Sequence, residues 1–142
     1  MLNPKQKFVV TETINKLNSN EIFVFGSNRA GRHGKGAALI AANQFGAVYG
    51  VGEGLEGNSY ALPTKGYKIE KISLEEIQRH VQNFINHAKL YPNLTYYVTR
   101  VGCGLAGYSD KDIAPMFHET LQLDNVLLPE IWIELLIFKS KC

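Results

Sequence analysis

The stretch Phe25-Gly26-Ser27-Asn28-Arg29-Ala30-Gly31-Arg32-His33-Gly34-Lys35-Gly36-Ala37-Ala38 interleaves glycines with cations. Glycines placed just ahead of a helix allow close backbone approach, and the first amides of a helix have no internal partner, so such a segment is a natural anion cradle. Arg29, Arg32, His33 and Lys35 add positive charge at the same place. A glycine-rich turn with solvated basic residues is the plain alternative. The segment is neither a P-loop nor a GxGxxG fingerprint, because Lys35 is followed by Gly36 rather than Ser or Thr and the glycine spacing differs.

A second stretch, Thr99-Arg100-Val101-Gly102-Cys103-Gly104-Leu105-Ala106-Gly107-Tyr108-Ser109-Asp110, places three glycines within six residues. After a buried strand, such a run can form a nest of amides around a phosphate. Tyr108 has the shape to stack on a ribose or base, or to pack as a boundary aromatic. Cys103 reads as a small residue filling a tight loop, since no histidine is adjacent to it in sequence. Other ionisable groups carry less chemistry. His80 and His87 fall off the apolar face of a helix and are expected in solvent, and His118 stands alone. Glu53 and Glu56 lie in a glycine-rich segment that reads as a surface loop, or else as a mobile lid over a pocket.

The elements that position these loops follow from periodicity. Nine of the thirteen glycines fall between Gly26 and Gly57, and three more are Gly102, Gly104 and Gly107. Ile22-Phe23-Val24-Phe25 reads as a strand buried on both faces that stops at Gly26. Ala37–Phe45 reads as a short helix closed by Gly46, and Tyr60-Ala61-Leu62 as a strand halted by Pro63. Ser73 and Glu76 have capping-box spacing, and Leu74, Ile77, Val81, Phe84, Ile85 and Ala88 share one helical face, so a helix runs from Ser73 to before Pro92. Leu94–Val101 is a strand leading into Gly102. Ser109–Leu121 is helical, with Pro115 marking a start or kink, and Val126–Leu128 is a last strand. Ile131–Phe138 fits a strand or a short helix, and with Trp132 it would form a self-association strip if it is not core. Alternating strands and helices predict an α/β domain with a mostly parallel sheet, in which both glycine loops sit at strand C-terminal ends and face one crevice.

Composition bounds the reading. A chain of 142 residues suits one domain over residues 1–142, and a domain of that size buries roughly two-thirds of its unfolded surface without disulfides or a structural metal. A formal net charge of +2 argues against a nucleic-acid or membrane surface. Cys103 and Cys142 are not spaced as metal ligands, so no metal and no cofactor is expected. Residues 1–10 lack an apolar signal core and no apolar run approaches the ~18 residues of a membrane span, so a cytoplasmic location is expected.

The first loop resembles the Asn-x-x-Gly-x-x-Gly-Lys-Gly-x-Ala segment of macrodomains, and the second resembles their Ile-Gly-Cys-Gly-Leu phosphate loop. The similarity spans Ile22 to Phe117. It is nearest to the class containing ADP-ribose-1''-phosphate phosphatases and the terminal ADP-ribose protein glycohydrolase. Bacterial and phage proteins that share Phe-Gly-Ser-Asn and Gly-Cys-Gly-Leu-Ala-Gly are similar as well. The resemblance implies a three-layer α/β/α fold with a mixed, mostly parallel sheet and a pocket for ADP-ribose or a related NAD-derived nucleotide, free or carried on an ADP-ribosylated macromolecule. It implies that Asn28 and the Gly31–Gly36 loop surround the distal ribose and that Gly102–Gly107 holds the diphosphate, with Gly26, Ser27, Asn28, Gly31, His33, Gly34, Lys35, Gly36, Ala37, Gly102, Cys103, Gly104, Leu105, Ala106, Gly107 and Tyr108 as the ligand-binding set. Lys65 matches the lysine the glycohydrolase uses as a nucleophile, and Asn28 would position a water. For the acid that contacts adenine, Glu12 is the candidate. Two departures weigh against catalysis: Ala106 stands where the glycohydrolase carries an acid, and Ala37 and Ala38 stand where hydrolytic macrodomains place an Asp. Any proton would then come from Asp110 or His33. Three readings follow: a binding module, an ADP-ribosyl hydrolase or ADP-ribose-1''-phosphate phosphatase, and a protein of phage or bacterial conflict systems that sequesters an NAD-derived signal intact.

Overall fold

Six short strands, β1 (Phe8–Val9), β2 (Glu21–Asn28), β3 (Gly54–Glu56), β4 (Ser59–Lys65), β5 (Thr95–Val98) and β6 (Val126–Pro129), form one sheet in the order β1-β6-β5-β2-β4-β3 in the computed structural model. All neighbours run parallel except β3, which is antiparallel to β4. The structure describes residues 8–9, 14 and 16–140, with residues 8–9, Leu105 and 138–140 described by backbone alone. Expectations placed on residues 1–7, Glu12 and Cys142 lie outside the described residues.

Side-chain alternation in the central strands divides the interior in two. On β2 and β4, Ile22, Val24, Tyr60 and Leu62 point to one face, while Phe23, Phe25 and Ala61 point to the other. Helix α1 (Gly36–Gln44) covers the second face with Ala38 and Ala41. The first face is covered by α2 (Leu74–Leu90), α3 (Asp110–Ile113), the 3₁₀ run Ala114–Gln122 and α4 (Glu130–Ser140). The result is a three-layer α/β/α arrangement. It explains why Ile22–Phe25 carries no polar residue, since both of its faces are covered.

Several elements depart from the sequence reading. Strand β2 does not stop at Gly26 but continues to Asn28, and β4 does not stop at Pro63 but continues to Lys65. Proline is tolerated because β3 pairs only with Ser59–Ala61, leaving β4 with β2 as its partner at Pro63. Ser27 pairs with Pro63 and Asn28 with Lys65, so Thr64 is one extra residue, a bulge that sets Lys65 beside Asn28 at the strand ends. Strand β5 is shorter than Leu94–Val101, because Thr99 already folds back with its amide and its hydroxyl on Val24 O. Strands β1 and β3 carry no periodic signal. Ile131–Phe138 falls within a helix whose Trp132, Ile133 and Leu136 are core, so Trp132 is no part of a self-association strip.

Helix α2 follows its predicted face, with Ile77, Val81, Phe84, Ile85 and Ala88 buried. Ser73 Oγ accepts the Glu76 amide at 3.2 Å, but the Glu76 carboxylate takes Arg29 at 2.7 Å instead of closing the box. Its histidines are not in solvent. His80 Nδ1 lies 2.9 Å from Glu53 Oε2, and His87 packs among Tyr60, Tyr91 and Tyr96 with ring centroids 4.9–5.5 Å apart. Glu53 also accepts from Asn83, and Glu56 sits in β3, so this segment is tied to α2 and is no lid. His118 is exposed.

Candidate functional site

Both glycine loops open into one cavity of about 780 Å³ at the C-terminal ends of β2, β4 and β5, within the usual size of small-molecule sites. The first loop contributes Gly26, Ser27, Asn28, Gly34, Lys35, Gly36 and Ala37 to its wall. The second contributes Gly102, Cys103 and Ala106. Thr64 and Lys65 enter from the β4 bulge. Lys35 is the N-cap of α1 and makes no side-chain cap, and no acidic residue sits in the first helical turn, so the amide end of α1 faces the cavity without an internal anion.

The neutral polar side chains of the floor are committed to the backbone. Asn28 is 7 % exposed and clamps the loop it begins, donating Nδ2 to Arg32 O at 2.9 Å and accepting the Arg32 amide on Oδ1 at 3.0 Å. Ser27 Oγ donates to Asn28 O, Thr64 Oγ1 to Ser27 O, and Thr99 Oγ1 to Val24 O. What remains toward the cavity is positive charge. Arg32, Lys35 and Lys65 line it, as does Arg100, whose guanidinium is bound by Asp110, and no carboxylate does among the described residues.

Other residues expected at the site lie outside its wall. Gly31, His33, Gly104, Gly107 and Tyr108 are not in the cavity wall, and the side chain of Leu105 is not described. His33 is 2 % exposed, and its Nε2 lies 3.1 Å from both Val48 O and Val51 O, so that nitrogen carries the proton and is used internally. The histidine props the loop from outside the cavity wall. Gly31 is needed for a different reason than approach to a phosphate: its φ is +69° and a Cβ there would collide with the backbone of Gly50 and Val51. Arg29 is turned away onto Glu76. Tyr108 donates its hydroxyl to Ile72 O at 2.7 Å, with Lys71 Nζ 4.3 Å from its ring centroid, so it secures the loop from outside.

Beneath the second loop, Asp110 accepts Arg100 through Nε at 2.9 Å and a terminal nitrogen at 2.5 Å, Trp132 Nε1 at 2.7 Å, and the Cys103 thiol at 3.5 Å. The Arg100 hydrogen bonds above all, assisted by Trp132, hold its carboxyl down at about 2. A group so acidic and so engaged is no proton donor at neutral pH, which removes Asp110 from the role of acid. Burial, with the Asp110 charge beside it, pushes the Cys103 thiol up to about 12, so it lines the cavity as a thiol and not as an attacking thiolate. Sequence reasoning missed Tyr49, Ile40 and Ile69, which line the mouth. For Tyr49 the signal was a lone aromatic between Gly46 and Gly50. Nothing in sequence marked Ile69.

No protein-family model matches the chain, and no curated protein does. Among solved structures, it is similar to a protein of unknown function from Bacteroides thetaiotaomicron, with 16% identity and a TM-score of 0.55 over 87% of this chain and 94% of that one. It is also similar to a macrodomain protein from Streptomyces coelicolor, with 13% identity and a TM-score of 0.57 over 88% of this chain and 97% of that one. At such identities the likeness speaks for architecture, and with the layer order and the two-loop cavity described above it shows that this chain has a three-layer α/β/α fold of the macrodomain type.

Proposed function

We propose that the protein binds ADP-ribose or a related NAD-derived nucleotide in the cavity between its two glycine-rich loops. One observation carries this reading: the wall combines the open amide end of α1 with Arg32, Lys35 and Lys65, and holds no carboxylate among the described residues. A diphosphate answers such a wall, since each hydrogen bond to a charged group is worth about 1.5–3 kcal/mol. The macrodomain architecture supports a nucleotide of the ADP-ribose type. Titration calorimetry with ADP-ribose, ADP and AMP tests it. Heat and a raised Tm with ADP-ribose are expected, and no response at millimolar ligand refutes the reading.

A hydrolase is the second reading, and the observation favouring it is Lys65, whose side chain lines the cavity with no ion pair or hydrogen bond among the described residues. Against it, the described cavity wall holds neither a carboxylate nor a histidine to move a proton. Retention of an intact ligand, as in sequestration of a nucleotide signal, agrees better with that wall. Ligand recovered chemically unchanged after heat denaturation supports binding alone. A hydrolysed product that disappears with Lys65→Ala establishes the hydrolase instead.

A further inference from the structure

Glu53 is tied to helix α2 by two side chains of one helical face. His80 Nδ1 lies 2.9 Å from Glu53 Oε2, and Asn83 donates Nδ2 to the same oxygen at 3.2 Å. One turn before His80, Glu76 holds Arg29 at 2.7 Å. Residues 76, 80 and 83 fall on one stripe of the helix, so α2 reaches the first glycine loop through Arg29 and the segment that carries Tyr49 through Glu53. The register of β3 explains the second reach: Leu55 pairs with Tyr60, which points to the α2 side of the sheet, and Glu53 stands two residues before Leu55.

What Glu53 holds is in backbone contact with the first loop. A Cβ on Gly52 would lie 2.4 Å from Asn28 O and 2.8 Å from Arg29 O, and Gly50 N donates to Gly31 O at 2.8 Å. Asn28 and Tyr49 both line the cavity, one from each side of this contact. Packing so close passes a displacement of the segment directly to the wall.

The tie at Glu53 titrates, because a histidine changes charge between about pH 5 and 8. A histidinium makes a charge-assisted hydrogen bond to a carboxylate, about twice as strong as one between neutral groups. The titratable and charged groups around the pair are Tyr60 from β4 and Glu76, Arg79 and His87 from α2. Burial above all, with the Glu53 charge beside it, pushes the Tyr60 hydroxyl up, so it stays neutral. Burial lowers the His87 pKa, Glu76 is engaged by Arg29, and Arg79 keeps its charge. We infer that Glu53 and His80 are positioning residues: their ion pair fixes the segment carrying Tyr49 against the first glycine loop, so the cavity binds its nucleotide more tightly when His80 is protonated, although neither residue lines it. This is a regulation of the proposed nucleotide site and rests on that reading. By linkage, a ligand that favours the protonated protein draws a proton onto it as it binds.

The test is ADP-ribose affinity by titration calorimetry at pH 6 and pH 8, a range over which the diphosphate and the Lys and Arg side chains of the wall keep their charge. The side chains of His80 and Glu53 are 14 % and 35 % exposed, so the effect is modest: affinity should fall by about threefold from pH 6 to pH 8, with proton uptake on binding between them. His80→Asn keeps a neutral donor near the Nδ1 position and should bind equally at both pH values. Glu53→Gln should be equally flat, and weaker than wild type by about threefold at pH 6. Arg29→Ala, whose loop is still closed by Asn28 on Arg32, should retain the wild-type pH dependence. His33, which bonds Val48 O and Val51 O of the same segment, is intact in every variant. A pH dependence that persists in His80→Asn or Glu53→Gln therefore belongs to another group and overturns the inference, as does a wild-type affinity equal at pH 6 and pH 8. Either result leaves the nucleotide reading standing. A wild-type protein that binds no ADP-ribose at either pH overturns both.

Discussion

Replacing Asp110 by Asn leaves the shape of the side chain and removes its charge and half of its acceptor capacity. The carboxylate joins three elements: Arg100 and Cys103 of the second glycine loop, its own helix α3, and Trp132 of α4. Asn presents one oxygen, so either the Arg100 or the Trp132 donor faces an NH₂ group. Holding the carboxyl at about 2 instead of 3.8 corresponds to about 2 kcal/mol of folding stability at ~1.36 kcal/mol per pH unit. Asp110 itself is only 14 % exposed, but Arg100 is 46 % exposed and solvent screens it, so about 1–2 kcal/mol is the expected loss for Asp110→Asn at pH 7. The sign with pH follows from the direction. The folded carboxyl is more acidic than the unfolded one, so its contribution is fully present above ~4 and is lost as pH falls from there toward about 2. Urea denaturation of wild type and Asp110→Asn at pH 7, 4, 3 and 2.5 measures both. The difference between the proteins should shrink toward zero at the acid end. A loss below about 0.5 kcal/mol at pH 7, or a difference independent of pH, refutes the argument that this carboxylate anchors the loop.

Gly102→Val should lower stability and weaken ADP-ribose binding more than about tenfold, because Gly102 lines the cavity at φ +78° and a Cβ would lie 2.9 Å from Ile113 Cδ1. Gly107→Val, at φ +88° with only the end of Lys71 within 4 Å, should strain the turn but cost less affinity; calorimetry on the two variants checks the order. Lys65→Ala should weaken ADP-ribose binding by about tenfold and flatten its dependence on salt, whereas Arg29→Ala, whose partner is Glu76 outside the cavity wall, should leave affinity within about twofold. Burial lowers the His87 pKa, so the unfolded chain takes a proton more readily; this contribution is complete above ~6.5 and is lost as pH falls through the depressed folded value. Denaturant midpoints between pH 7.5 and 5 should fall less in His87→Phe than in wild type, and equal slopes would remove His87 as the cause.

Period and composition alone determined the elements with strong local signals. The face of α2, the closure of α1 at Gly46 and the burial of Ile22–Phe25 on both sides follow from residue spacing, because each reports an interaction within one element or a uniform apolar environment. The two glycine loops were legible for the same reason, and the layered architecture followed from alternating strands and helices. What sequence could not decide was which side each polar residue of a loop would face. His33 and Lys35 are two residues apart in one basic run, yet the first is sealed under Val48 and Val51 while the second lines the cavity. Arg29 and Arg32 divide in the same way, because Glu76 arrives from a helix 47 residues away. The bulge at Thr64, the turn that forces Ile69 to positive φ and the use of Asp110 as an anchor depend on pairings between distant segments, which carry no local period. Only the tertiary structure sorted the cations into those that line the cavity and those that hold the loops, because burial and partner geometry are properties of the packed chain.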